Sequence, residues 1–422
     1  MNWFGKLILV FKDRQLRKKI LFVLFIFFVF RLAANIPIPG IDTENLQRFF
    51  GENQVFGLLN LFTGGALSKL SIVMLGLGPY ITATIILQLL TMIFPAFEKL
   101  YKEEGEQGKQ KFNQYARMAT VPLAILQGYS MLILFQHQGI ISSISPLLLL
   151  TSISTITAGA VFLMWLGELI SEKGIGNGVS LLIFAGIVAR TPMEVQNIAA
   201  NWDPSNLPLY ILFLAVALVI VAGVVMVNEG RRNIPVSYAK RVRGTKVYGG
   251  VSTYLPLRVN QAGVIPIIFA MSILLFPQMI LNFLSNIDNA MLQSVSNFIL
   301  RILENGWFYS ILYFILVFLF TYFYTAVTFD PEAISTNLKK SGAFIPGIRP
   351  GKSTSEYLGK VLTRITLVGA LFLGVIAVLP LIMKSLTGIS SLAIGGTALL
   401  IVVSVVLDLI KKIDAQISMR EY

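Results

Sequence analysis

The feature that most limits what this chain can become is a recurrence of long apolar runs, near residues 19–36, 71–94, 116–136, 147–170, 179–195, 208–228, 261–283, 305–328, 361–383 and 391–410. About 20 apolar residues at ~1.5 Å each cross a hydrocarbon core ~30 Å thick. Lipid offers the backbone no hydrogen-bond partners, so each crossing must satisfy its own N–H and C=O groups, and a helix does so within one segment. With 55% hydrophobic and only 13% charged residues, a water-soluble globule is excluded. The first run follows Lys6, Lys12, Arg14, Arg17, Lys18 and Lys19 and ends in Asn35-Ile36-Pro37-Ile38-Pro39-Gly40. That ending lacks a small-residue cleavage pattern, and the run reads as an uncleaved first span.

Positive charge collects in the loops left on the cytoplasmic side. With the amino terminus inside, the inner segments hold every one of the 34 Lys and Arg residues except Arg31, Arg48, Lys69, Arg190, Arg301 and Lys384. The expectation is a multi-pass protein of the plasma (inner) membrane with both termini cytoplasmic. Residues 196–207 form an external hinge between an N-terminal half, 1–195, and a C-terminal half, 208–410, followed by a cytoplasmic tail, 411–422. Five spans per half is an odd number, so the second half enters the membrane inverted, a topology that tends to place a pathway where the halves meet.

Several chemistries are excluded. The absence of cysteine removes disulfides and thiolate metal sites. The single histidine, His137, reads as a solvated loop residue, so neither a metal site nor a cofactor is expected. Gly347-Ile348-Arg349-Pro350-Gly351-Lys352-Ser353-Thr354 echoes a phosphate-binding loop, but only three residues separate its glycines, one of them a proline. Arg31, Glu168, Arg364 and Asp408 lie toward span ends, leaving no midplane charge relay of the kind coupled transporters carry. That weighs against a secondary transporter, the main alternative; an insertase-type scaffold without a through-pore is a second.

Residues 57–70 are moderately apolar, broken by Gly64 and Gly65, and too short to cross. They read either as an outer-surface hairpin or as a pore-inserted element. Spans two and seven carry Gly76-Leu77-Gly78-Pro79 and Ala262-Gly263-Val264-Ile265-Pro266, where missing helical hydrogen bonds allow either a mobile bend or a static packing kink.

Seven motifs in order, spanning nearly the whole chain, resemble the SecY family of protein-conducting channels: Ile36-Pro37-Ile38-Pro39-Gly40; Phe62-Thr63-Gly64-Gly65-Ala66-Leu67-Ser68 with Pro79-Tyr80-Ile81; Gly174-Ile175-Gly176-Asn177-Gly178; Tyr238-Ala239-Lys240-Arg241; Ala262-Gly263-Val264-Ile265-Pro266; Gly347-Ile348-Arg349-Pro350-Gly351; and Gly395-Gly396-Thr397. The resemblance implies an all-α polytopic membrane protein with ten transmembrane helices in two inverted five-helix halves around a central hourglass pore, and a short re-entrant plug helix. It implies passage of unfolded secretory proteins and lateral release of membrane segments, with no enzymatic step in this chain.

By the same resemblance, Leu77, Ile81, Ile183, Ile187, Ile268 and Ile401 form an aliphatic pore ring. Asn60, Phe62, Thr63, Gly64, Gly65, Ala66, Leu67 and Ser68 belong to the plug. Gly76, Gly78, Pro79, Gly263 and Pro266 ease a lateral gate between spans two and three and spans seven and eight. Arg231, Arg232, Lys240, Arg241, Arg243, Lys246, Arg349 and Lys352, on two basic loops at 229–260 and 329–360, dock a SecA motor ATPase and the ribosome with its RNA. At the tip of the first loop Gly244-Thr245-Lys246 departs from the Gly-Arg-Arg of many members. Further partners implied are SecE-like and SecG-like small membrane subunits, signal sequences, nascent chains and the lipid bilayer.

Overall fold

The computed structural model describes residues 12–39, 60, 63–102, 105–137, 139–141, 145–200, 204, 207–238, 241–243, 246–248, 252–284, 289–387 and 395–418. Each of the ten apolar runs carries a helix: α1 (Arg14–Ala33), α2 (Gly78–Ile93), α4 (Gly105–His137), α5 (Pro146–Lys173), α6 (Gly178–Ala200), α7 (Leu207–Glu229), α8 (Ile265–Leu284), α10 (Gly306–Thr328), α12 (Lys352–Thr387) and α13 (Gly395–Ser418). Among the described residues, five helices are long and apolar enough to cross a membrane by length and composition, lying in α4, α5, α7, α10 and α12. Of the expected residues, Lys6, Gly40, Arg48, Leu61, Phe62, Ala239, Lys240, Gly244, Thr245, and positions 57–59, 201–203, 205–206, 249–251, 391–394 and 419–422 lie outside the described set.

The helices differ from the apolar runs where local chemistry overrides hydropathy. Span two was expected from residue 71, yet α2 begins at Gly78, because Pro79 lacks an N–H and fits the first helical turn. Residues 71–77 are instead a series of tight turns, with Met74 N–H donating to Ser71 O and Gly76 N–H to Val73 O, each at 2.9 Å. At the other end of α2, Pro95 forces Phe94 into extended backbone. The short helix α3 (Pro95–Lys102) therefore departs at 114°. It folds against an extension of α4 well upstream of the expected start at 116, where Tyr101 and Phe112 pack at 5.0 Å between ring centroids.

Two further helices were not expected. Helix α9 (Ala290–Glu304) is capped by Asn289, whose side chain accepts from Met291 N at 3.0 Å. Met291, Val295 and Phe298, at helical spacing, are exposed along one face. Helix α11 (Pro331–Lys340) is capped by Asp330.

The basic loops hold five strands: β1 (Arg231–Tyr238), β2 (Arg241–Arg243), β3 (Lys246–Tyr248), β4 (Ser252–Arg258) and β5 (Ala343–Phe344). Strand β1 pairs antiparallel with β4, placing Ile234 opposite Leu255, and on its other edge with β5, placing Ser237 opposite Phe344. Ile234, Val236, Leu257, Ala343, Ile345 and Leu358 bury a small common core beneath this sheet. The two loops, expected as separate docking segments, are thus one folded unit resting on α11 and the start of α12.

Helices α1, α2, α4, α5 and α6 pack among themselves, as do α7, α8, α10, α12 and α13. The two groups meet at two seams. At one, α8 lies against α2 and α4; at the other, α13 lies against α6.

Candidate functional site

Leu77, at the N-cap of α2, and Ile81, one turn on, stand on one helix face by their i, i+4 spacing, as do Ile183 and Ile187 on α6. Ile268 comes from α8 and Ile401 from α13. All six are buried and belong to one hydrophobic cluster. Ile401 is wholly enclosed, and Ile81 and Ile268 are the least covered at 9% exposed. The six therefore come from four helices, α2 and α6 of one group and α8 and α13 of the other.

Beside this cluster lies the segment before α2. Thr63 to Leu70 form successive turns, so the described part of the expected plug is not helical beyond Asn60. Asn60 organises it: its side-chain oxygen accepts from Ser68 N at 2.9 Å, and its carbonyl accepts from Gly65 N at 2.8 Å and from Thr63 Oγ1 at 3.1 Å. Gly64 has φ +67 and sits so close to α6 that an added Cβ would come within 2.9 Å of Gly186 Cα. An added Cβ at Gly76 would lie 3.0 Å from Thr63 Cγ2. Gly186 and Gly76 each adjoin a ring residue, Ile187 and Leu77, and Ala66 shares the ring's own cluster. Thr63, Gly64, Ala66, Leu67 and Leu70 are buried against the helices, while Lys69 is exposed.

The segment is also tied to α1. Arg31 Nη1 donates to Gly64 O at 2.6 Å, and Lys69 Nζ donates to Asn35 Oδ1 at 2.5 Å. Ile38 N–H donates to Leu70 O and Ile72 N–H to Ile36 O, at 2.9 and 3.0 Å. A cavity of ≈240 Å³ is lined by Asn177, Asn260, Gly263, Tyr324, Ser404 and Lys411, among others. There Asn260 Nδ2 donates to Asn228 Oδ1 at 2.8 Å and to Gly263 O at 3.1 Å, while Asn228 Nδ2 donates to Ser404 Oγ at 2.8 Å. This chain of amides joins α7, α13 and the approach to α8.

The SecY family profile matches residues 71–410. Protein translocase subunit SecY of Corynebacterium glutamicum is 45% identical over 99% of this chain and 98% of its own length. The chain belongs to the SecY family. The Thermus thermophilus member is 44% identical over 97% of this chain and 94% of its own. Among solved structures, a protein-conducting channel covers 94% of this chain and 91% of its own with a TM-score of 0.63 at 18% identity. Sec61 from the canine ribosome-channel complex has a TM-score of 0.60 at 17% identity. The SecY-family fold is thus an all-α polytopic membrane fold, with the small sheet as an appendage at one end.

In this SecY-family chain the glycines expected to ease a gate lie just before α2 and α8: Gly76 has φ +58 and Gly263 φ +62, and Pro79 and Pro266 each occupy a first helical turn. Arg231, Arg232, Arg349 and Lys352 are exposed on the folded basic unit. The Arg349 loop is held from beneath, with Thr354 Oγ1 donating to Arg349 O at 2.9 Å and Ser335 Oγ to Gly351 O at 2.6 Å. Arg241, Arg243 and Lys246 belong to the β2–β3 hairpin. The motif reading missed Arg31, Lys69, Arg190 and the Asn228–Asn260–Ser404 chain. What the sequence offered was that Arg31, Lys69 and Arg190 are among the six basic residues left outside the cytoplasmic segments.

Proposed function

We infer that this chain is the channel subunit of a protein translocase, carrying unfolded polypeptides across the plasma membrane and releasing apolar segments sideways into lipid. The observation that carries this reading is that six aliphatic side chains from four helices share one buried cluster, with Ala66 in that cluster and Gly64 packed against Gly186 beside it; in this reading the six close a ring. Aliphatic side chains present no fixed hydrogen-bond pattern, so a ring of them seals against ions when shut and detains no particular sequence when parted.

In this reading residues 60–70 act as the plug. Support comes from their contact with Gly186 and Gly76, and from a structural neighbour described as having a plug domain that stabilises the closed state and maintains a membrane seal. The seam of α8 against α2 and α4 is the lateral gate, bent at Gly76, Gly78, Pro79, Gly263 and Pro266. The folded basic unit, through Arg231, Arg232, Lys240, Arg241, Arg243, Lys246, Arg349 and Lys352, docks a SecA motor ATPase or the ribosome; positive charge suits ribosomal phosphates, and the Sec61 neighbour was solved with a ribosome. Energy comes from those partners or the membrane potential, and SecE-like and SecG-like subunits complete the complex. Both termini lie in the cytoplasm, following the concentration of basic residues.

The absence of native cysteine makes the test direct. Single cysteines at Ile81, Ile183, Ile268 and Ile401 should crosslink to a stalled secretory chain carrying a probe in its mature region, while cysteines at lipid-facing Leu218 or Val219 should not. Crosslinks at the controls and none at the ring, in a complex competent for translocation, would remove the assigned path.

A further inference from the structure

A charged side chain in or beside a membrane span is costly and calls for a physical reason. Of the six basic residues outside the basic segments, Arg31, Lys69 and Arg190 all reach the turns of residues 63–70. Lys69 belongs to those turns and binds Asn35 at the end of α1; the Arg190 side chain on α6 flanks Gly65, where an added Cβ would lie 3.7 Å from its Cδ. Arg31 makes the closest tie, a 2.6 Å hydrogen bond from Nη1 to Gly64 O in a partly buried setting.

We propose that Arg31 is the latch of the plug, a positioning residue that holds Gly64 against Gly186 through its carbonyl and so sets how often the seal is released. Gly64 is where such a hold is effective. Its left-handed backbone turns the carbonyl toward α1, while the bare Cα lets the chain meet α6 without a gap. A charge-assisted hydrogen bond is about twice as strong as a neutral one and gains in a low-dielectric setting. It remains a single contact, so a passing polypeptide can break it without unfolding either helix. The competing explanation is that Arg31 only complements the carbonyl end of α1, where it occupies the last turn.

The latch rests on the plug reading, and the experiment separates the two. The full-length chain, purified with its native partner subunits and reconstituted in proteoliposomes, is assayed for anion leak and for the rate at which a soluble maleimide labels a cysteine placed at Ser68. Arg31→Gln should raise both by about tenfold, the order expected for losing one charge-assisted bond. Arg31→Lys should fall between Gln and wild type. Gly64→Ala, which leaves Arg31 intact but drives a Cβ toward Gly186, should reproduce the leak, and it reads the same seal if Arg31→Gln fails to accumulate. A role confined to the α1 terminus predicts that Gln costs thermal stability with no change in leak or labelling, and that result overturns the latch. If deleting residues 60–70 causes leak while Arg31→Gln stays tight, the latch is wrong and the plug stands. If the deletion itself stays tight, the plug reading fails and the latch with it.

Discussion

At the scale of single residues, the site depends on side chains that are unremarkable in isolation. Ile81 and Ile268 are ordinary aliphatic residues on apolar helices, and only their shared cluster gives them a common role. Replacing either with Asn buries an amide among groups that cannot pair with it, at a cost of about 1–3 kcal/mol to the closed state. The expected outcome is a leak about tenfold higher and export of precursors with defective signal sequences; unchanged leak and unchanged selectivity would refute it. Gly159 on α5 makes a different prediction. A Cβ there would collide with the Ile72 carbonyl, so Gly159→Ala should lower thermal stability by about 1–3 kcal/mol through overpacking, read as a drop in unfolding midpoint of the detergent-solubilised protein. The i, i+4 pairs at 77/81 and 183/187 were legible in the sequence. That both are buried in one cluster was not, because periodicity specifies a helix face and never its partner.

At the scale of elements, hydropathy located ten helices but misplaced what proline and amphipathicity control. Helix α2 starts late at Pro79, and α3 turns away at Pro95. Helix α9 escaped notice because its apolar residues mark one face rather than a continuous run. The sheet was hidden for a related reason: Pro235 and Pro256 stand inside β1 and β4 and argue against strands, although the alternation around Ile234 and Val236 was visible. Joining β1 to β5 makes one unit from two loops that lie far apart in sequence. Cysteines at Ser237 and Phe344, paired across those strands, should therefore crosslink through a short bis-maleimide in the native protein; reaction only after denaturation would refute the pairing. Ile234→Asp should dissolve the unit's core, weakening ribosome binding severalfold while leaving ion leak unchanged, since the ring lies elsewhere.

At the scale of the whole molecule, the proposed gate requires the two seams to behave differently. The α8 seam crosses α2 and α4, and the α13 seam lies against α6. Cysteines at Ile81 and Ile268, joined by a short cleavable bis-maleimide, should stop translocation and restore it on cleavage; continued export by the crosslinked fraction would refute opening at that seam. The sequence by itself determined a membrane protein with ten apolar helices, the concentration of positive charge in particular loops and, through its motifs, the family. Those are properties of hydropathy, charge and local spacing, written along the chain. Only the tertiary structure decided which helix faces share one buried cluster, that Gly64 packs against Gly186 and is tied to Arg31, and that two basic loops share one core. Such contacts join residues far apart in sequence, and their energy comes from shape fit and hydrogen bonds across helices, which no local pattern encodes.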